Sequence, residues 1–359
     1  MLEFENILKG RRVFITGHSG FTGSWLCAWL RQVGVELAGF SLEPEPGAVL
    51  FDLLELARDV RTTVGDILDF SALSAAMNSF EPEVVIHLAA QPLVRKSYRE
   101  PLRTFAVNSH GTANVLEAAR LSPSVKGIVA ITTDKVYDNR EWAWAYREND
   151  PLGGKDPYSA SKAAAEMVIK GYRSLKDTED GMPWIATARG GNIIGGGDFS
   201  EDRLVPDFVR AVINKTSLTL RFPDATRPWQ HVLALVQGYG TLAAGLVSDD
   251  AQRYAKAWNL GPNDPAQYSV RSVLETMSNV WERPDLRYLN MPLPEAGALQ
   301  LDSRLAYNEL GWRQPWSVTQ MIEQTATWYL QNSRKEDMKS FTDSQINNWR
   351  SGLLGSSIC

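Results

Sequence analysis

Short apolar runs alternate with amphipathic stretches through the first half of the chain. "RVFITG" reads as a strand. In "TGSWLCAWLRQVG", directly after it, Leu26, Trp29, Leu30 and Val33 recur at i, i+3, i+4 and i+7, the period of one helix face, and Gly34 closes the helix. "VELAGF" follows as a second strand, with "TTVGDI", "EVVIHLAA", "GIVAITT" and "WIATARGG" as later ones. Between most of them lie the helical stretches "FSALSAAMNSF", "TFAVNSHGTANVLEAARL" and "YSASKAAAEMVIKGYRSL". A β-α repeat of this kind predicts an α/β fold, a Rossmann-type doubly wound parallel sheet with helices on both faces. Ligands of such a sheet bind at the carboxyl ends of its strands.

After about residue 190 the pattern loosens into Gly- and Pro-rich stretches, as in "GGNIIGGGDFSEDRLVPD", "FPDATRPWQHV" and "LGPNDPAQY". Residues 1–190 are therefore expected to form the nucleotide-binding domain, with 229–262 returning to it. Residues 191–228 and 263–340 are expected to form a smaller, interleaved substrate-binding domain, and 341–359 a peripheral tail. A chain of 359 residues, 44% hydrophobic and 22% charged, suits one large or two modest domains with a real core.

Charge narrows the partners. At a net −5, binding to nucleic acid or an anionic membrane has no electrostatic support, and an anionic substrate would need local arginines. Cys27 and Cys359 build neither a disulfide framework nor a metal site, which points to a reducing compartment. "MLEFENILKGRR" lacks an apolar signal core and no run approaches bilayer length, so the cytoplasm is the expected location.

The candidate chemistry begins between the first strand and the first helix, where "FITGHSGFTGSW" places Gly17, Gly20 and Gly23. Glycines at this turn let the backbone approach a pyrophosphate, to which the helix offers free N–H groups and the positive end of its dipole. His18 inside the loop is unusual: it can crowd the pyrophosphate, hydrogen-bond to it, or point to solvent. Glu43 lies twenty residues beyond Gly23 and no arginine stands in "GFSLEPEP" to greet a 2′-phosphate, which favours NAD over NADP. Asp66 and Ile67 after the third strand are placed to reach the adenine, and Leu88, Ala89, Ala90 and Gln91 to line the dinucleotide. Phe21, Thr22, Asn108 and Thr132 complete the candidate cofactor set.

Tyr158 and Lys162 in "YSASK" stand four apart, on one face of a helix. An ammonium there can favour the ionised phenol, which can remove a hydroxyl proton as hydride leaves the same carbon. Thr133, or alternatively Thr132, at the end of "GIVAITT" would bind the same oxygen.

With these pieces in place the chain resembles the extended short-chain dehydrogenase/reductases that act on nucleotide sugars. The glycine loop, "GDI", "HLAAQ", "VNSHGT", "TTDKVY", "YSASK" and "RPWQHV" follow one another as in that family, up to "LDSRLAYNELGW". The 4,6-dehydratases of the family carry two further residues after the Thr, Asp-Glu in the dTDP-glucose branch and Asp134-Lys135 here. "GHSGFTGSWL", "AAQPLVRKSY", "DKVYDNREW" and "NIIGGGDFSEDRLVPD" are similar to the branch acting on CDP-glucose. The resemblance implies NAD as cofactor, CDP-glucose as substrate, no metal, and a homodimer or dimer of dimers formed through the helices near 105–121 and 158–175. It also implies that Tyr158 takes the C4 hydroxyl proton, Asp134 protonates the departing C6 hydroxyl, and Lys135 is either the C5 base or a phosphate contact. Arg227 and Asn192 match the family's diphosphate ligands, although Pro228 replaces the usual Asp after that Arg. Arg95, Arg203, Arg221 and Arg304 are further candidates for the substrate grip.

Overall fold

Seven strands pair in one sheet: β1 Arg12–Thr16, β2 Glu36–Ser41, β3 Val60–Val64, β4 Val84–His87, β5 Gly127–Ile131, β6 Trp184–Gly190 and β7 Ala257–Leu260. Their order is β7-β6-β5-β4-β1-β2-β3, and every neighbouring pair is parallel. This is a computed structural model, and it describes residues 1–44, 50–220, 222–262, 268–288 and 299–355. Arg221 and Cys359 lie outside the described residues.

The central strands are apolar on both faces because helices cover both, whereas the edge strand β3 is mostly exposed. Val13 and Ile15 of β1 pack into one cluster with Trp25, Trp29 and Leu30, while Phe14 packs into the opposite cluster with Val85, Leu116 and Ile128. The first cluster lies under α1 Phe21–Val33, which ends at Gly34 in the left-handed region, φ +83°. The second lies under α2 Phe70–Phe80, capped by the Asp69 carboxylate on the Ala72 N–H, and under the helices that follow β4. These are α3 Val94–Arg99, α4 Pro101–Phe105 and α5 Thr112–Arg120, then α6 Pro157–Ser174 after β5.

One long helix is expected over 104–121, but a π-helical turn at Ala106–Gly111 interrupts it between α4 and α5. Such turns are associated with functional sites, and here the turn carries Asn108, whose amide reaches the backbone of Gln91 and the Ser161 hydroxyl. The third strand also starts earlier than its apolar run suggests. Val60–Val64 pair with β2, and "GDI" belongs to the loop beyond.

The second half is interleaved with the sheet. α7 Leu204–Asn214 stands outside it, and α8 Val232–Gly245 returns to pack almost wholly buried against it, followed by β7. Short pairings at 193–194 with 230–231, 226–227 with 268–269, and 218–220 with 286–288 tie the irregular segments together. α9 Val318–Ser333 and α10 Met338–Gly355 complete the order. The expected peripheral tail is, through residue 355, most of α10, and it packs inward. Thr342, Ile346, Trp349 and Leu353 are buried, and Arg350 donates to the buried Glu5 carboxylate at 2.6 Å. Their i, i+4, i+7 and i+11 spacing is that of a helix docked on a core.

Candidate active site

The carboxyl ends of β1, β4, β5 and β6 converge where the strand order reverses. Gly17 takes φ +74°, and a Cβ there would lie 2.7 Å from the Ala89 nitrogen, so β1 and β4 can turn away from each other only around a glycine. A Cβ on Gly23 would lie 2.2 Å from the Gly17 oxygen, while Gly20 caps α1. Phe21, Thr22 and Gly23 open the helix, and the first intrahelical donor is Ser24, bonded to Gly20 O at 2.8 Å. Their N–H groups are thus the free ones at the dipole's positive end. This cradle of bare backbone fits a dinucleotide pyrophosphate.

His18 does none of the three things set out for it. Its ring is fully buried, lies so close over Gly39 of β2 that a Cβ there would be 2.2 Å from it, and meets Phe51 edge-on at 5.2 Å. Nε2 shares a hydrogen bond with Thr62 Oγ1 at 3.2 Å. Burial holds the imidazole down to about 4, so it is neutral at physiological pH. The side chain turns into the β1–β2 edge because Gly39 leaves a gap there that it fills. Glu43 stands exposed just beyond β2.

Beyond β3, Asp66 pairs with Arg103 at 2.5 Å, and its carboxyl is held below the usual range although partial burial opposes this. Ile67 is buried against Gly111. Leu88, Ala89 and Ala90 are half-buried along the cleft. The Gln91 side chain is engaged by the scaffold: its amide donates to Leu93 O and Thr104 Oγ1, and its carbonyl accepts from Leu93 N. Asn108 Oδ1 accepts from Gln91 N at 2.8 Å. Both amides therefore shape the β4–α3 loop. His87 is pinned beneath it between the hydroxyls of Thr16 (2.7 Å) and Thr112 (3.0 Å), its pKa lowered to about 3 by burial and the nearby Lys162.

Between Thr132 and Thr133 the geometry decides. Thr132 Oγ1 donates to the Glu166 carboxylate at 2.7 Å, directed into the protein rather than the cleft. Thr133 lies two residues beyond β5, at the N-cap of the next turn; its hydroxyl donates to Asp134 Oδ1 at 3.0 Å and lies near enough to the Tyr158 phenol to favour its ionised form. A short 3-10 turn, Asp134–Val136, then folds the acid under cover. Asp134 is 4% exposed and faces Gly191, where a Cβ would stand 3.1 Å from Oδ2. Desolvation raises its pKa, opposed by Lys135, by the Thr133 hydroxyl and by Arg227. Lys135 is half-buried at the same turn, its N–H donating to Thr133 Oγ1 at 3.4 Å.

Tyr158 enters on the first turn of α6, fixed by Pro157 at the helix start, by the Asp156 cap, and by its own N–H donating to Ser97 Oγ at 3.2 Å. Burial pushes the phenol up to about 12; Thr133 and the Arg203 charge oppose this, and Asp134 adds to it. Lys162, four residues on, donates to Ile131 O at 3.0 Å, and burial lowers it to about 8 against the pull of Glu166.

The candidate arginines separate. Arg203, capping α7, pairs with Asp198 at 3.4 Å and reaches the phenol electrostatically. Arg95 pairs with Asp202, joining α3 to the segment before α7, two residues from the Ser97 that holds Tyr158. Arg227 bears on Asp134 from the 226–227 pairing, and Asn192 O accepts from Gln230 N at 3.0 Å beside Gly191. Arg304 is 77% exposed and bonded to Asp302; the structure does not bring it to this cluster. Glu166, Arg189, His87 and Ser97 are in the site's framework but were not singled out in the sequence. Only Glu166 left a signal there, one turn beyond Lys162.

A glycine cradle at the switch point of a parallel sheet, facing a Thr-Tyr-Lys set with a buried acid, defines a dinucleotide-dependent enzyme of the short-chain dehydrogenase/reductase class. Residues 14–325 match the family model described as GDP-mannose 4,6 dehydratase, and the chain belongs to that family of nucleotide-sugar 4,6-dehydratases. It is 39% identical over 355 residues to the CDP-glucose 4,6-dehydratase of Salmonella typhimurium, covering 97% of this chain and 98% of that protein. It is 27% identical to the UDP-glucose 4-epimerase of Mycolicibacterium smegmatis, over 90% of this chain and all of the relative. The dTDP-glucose 4,6-dehydratase of Streptomyces venezuelae, solved with NAD, shares the fold with a TM-score of 0.76 at 21% identity, over 90% of this chain and 98% of its own.

Proposed function

We propose that this chain is an NAD-dependent dehydratase converting CDP-glucose to CDP-4-keto-6-deoxyglucose and water. The observation that carries the reading is the buried Asp134, whose burial favours the protonated form, next to the Thr133 whose hydroxyl favours the ionised Tyr158. A 4-epimerase has no use for such an acid. The 39% identity to a CDP-glucose 4,6-dehydratase across nearly both whole chains supports the same substrate.

The Gly17–Gly23 cradle would hold NAD, which would supply the hydride acceptor for C4 and the hydride donor for C6 of the sugar. Everything else falls to the protein. Thr133 holds the C4 oxygen and Tyr158, as phenolate, takes its proton. Lys162, cationic below about pH 8, favours that ionised phenol. The new ketone acidifies C5, so a modest base suffices, and Lys135, half-buried at the same turn, is the base we assign. Asp134 gives its proton to the C6 hydroxyl, which leaves as water; Lys135 returns its proton to C5 as C6 is reduced, and the proton held by Tyr158 restores Asp134 by way of solvent. Arg227, Asn192, Arg95 and Arg203 are the proposed diphosphate and sugar contacts, the cations adapted to phosphate oxygens. Arg95 must then exchange Asp202 for substrate.

Assembly as a homodimer belongs to the same reading. Leu102 (83% exposed) and Phe105 (39%) of α4 and Val168 of α6 line a groove of about 390 Å³ with an apolar face, where a second copy would cover them. No helix among the described residues is long and apolar enough to cross a membrane, which fits the proposed cytoplasmic setting. The test is incubation with CDP-glucose and NAD, following the alkaline absorbance of a 4-keto-6-deoxy product. Turnover of a dTDP-, UDP- or GDP-sugar in its place, or a 4-epimer retaining its C6 hydroxyl, would overturn the assignment.

A further inference from the structure

Glu166 and Arg189 take no part in the chemistry above, yet both side chains are 4% exposed. They meet in a two-pronged pair, Arg189 Nε to Oε1 at 2.8 Å and Nη2 to Oε2 at 2.9 Å. A buried ion pair is weak evidence for stability, because desolvating two charges offsets their attraction; its best-attested use is to fix one arrangement over others. Here the pair's other bonds lead into the site's elements. Oε1 accepts from Thr132, the residue before Thr133. Arg189 Nη1 donates to the Tyr137 hydroxyl at 2.8 Å and to Glu148 O at 2.9 Å, and Tyr137 is the residue that ends the Asp134–Val136 turn. Glu166 itself stands one turn beyond Lys162 on the same face of α6.

We propose that Glu166, clamped by Arg189, is a positioning residue for hydride transfer and elimination: it locks the Thr133 strand end and the Asp134 turn against α6 and supplies the negative charge that faces Lys162. The roles of Thr133, Asp134 and Lys162 rest on the function proposed above. The titratable and charged groups bearing on the two are few. Lys162 faces Glu166 on its own helix and His87 on β4; Glu166 faces Arg189 on β6 and Arg173 on α6. His87 titrates near 3 and the arginines stay charged, so between neutral and alkaline pH the Lys162–Glu166 coupling is the part of this set that changes.

The test is Glu166→Gln, which keeps the shape and the Thr132 hydrogen bond and removes the charge. Without Glu166 the variant buries Arg189 unpaired at every pH, and it also buries Lys162, its ionisation moved further below about 8, as an unpaired cation until rising pH strips its proton. The melting midpoint should drop by roughly 5 °C or more near pH 7, and by distinctly less near pH 9.5. The alkaline limb of kcat/KM should move to lower pH by roughly one unit. A merely structural pair gives the same melting offset at both pH values and an unmoved limb, and that result overturns the proposal. If wild-type protein does not turn over CDP-glucose, the functional reading fails alone, and the melting series still judges the pair. Should Glu166→Gln not fold, Thr132→Val carries the test: a three- to tenfold loss of kcat at unchanged KM and unmoved alkaline limb supports the proposal, and wild-type kcat overturns it.

Discussion

Asp134→Asn separates what this carboxyl does from where it sits. The amide has the same shape, so its oxygen can still accept from Thr133 Oγ1, a bond of 3.0 Å, and nothing new presses on Gly191. What disappears is an acidic proton for the C6 hydroxyl. General-acid catalysis contributes about 10²–10⁴-fold, equivalent to ~3–5 kcal/mol of barrier. Turnover of CDP-glucose should fall by that factor while oxidation at C4 survives, so the near-ultraviolet absorbance of reduced nicotinamide should build up in a single-turnover mixture. The same substitution should stabilise the fold. Asp134 has its pKa raised by burial, so it carries a stability term that is full below the unfolded value near 3.9 and is lost as pH rises through the folded value. Each unit of raising costs ~1.4 kcal/mol once both states are ionised, and asparagine escapes that cost. The variant should melt above wild type at neutral pH and lose this advantage near pH 3. A variant that keeps more than a tenth of wild-type turnover, or accumulates no reduced nicotinamide, would refute the acid role.

Three further outcomes follow from the same geometry. Tyr158→Phe should lose roughly 10²–10⁴-fold in kcat with no reduced nicotinamide formed at any pH, while CDP-glucose affinity measured by calorimetry stays within a few-fold. Gly17→Ala should weaken NADH binding, read by fluorescence, by more than tenfold and lower the melting midpoint: its φ of +74° costs a side chain ~1–2 kcal/mol before the clash with Ala89 is met. Leu102→Arg should leave the circular dichroism unchanged and shift the light-scattering mass to a monomer; an unchanged mass would remove α4 from the interface.

How much of this was legible beforehand depends on whether a signal is periodic or long-range. Six of the strands were readable as short runs, the third of them misplaced by two residues, and the helices between most of them as 3.6-residue patterns, because covering both sheet faces imposes that code locally. Gly17, Gly20, Gly23, Tyr158 and Lys162 were legible because their chemistry needs fixed spacings along one strand–turn–helix or one helix face. The π-helical turn was not, since nothing in "AVNSHG" specifies a wider turn over an ordinary one; Asn108 is drawn out of register by the Gln91 loop it satisfies. The buried helix at the chain's end carried its apolar spacing openly, and the surface it docks on came from residues more than three hundred positions earlier.

The sequence alone determined the class of fold, the turn that receives a dinucleotide and the residue types of the catalytic set, all properties of neighbours in the chain. Tertiary structure decided which of two adjacent threonines faces the cleft, since Thr132 is claimed by Glu166 and Thr133 is left to Tyr158. It turned His18 inward onto Gly39, an outcome set by how β1 and β2 meet, and left Arg304 on the surface, held by Asp302. It also decided the ionisation of Asp134: a carboxyl's pKa is set by the water it loses and the charges around it, and those are fixed only once β5, β6 and α6 have closed over the turn.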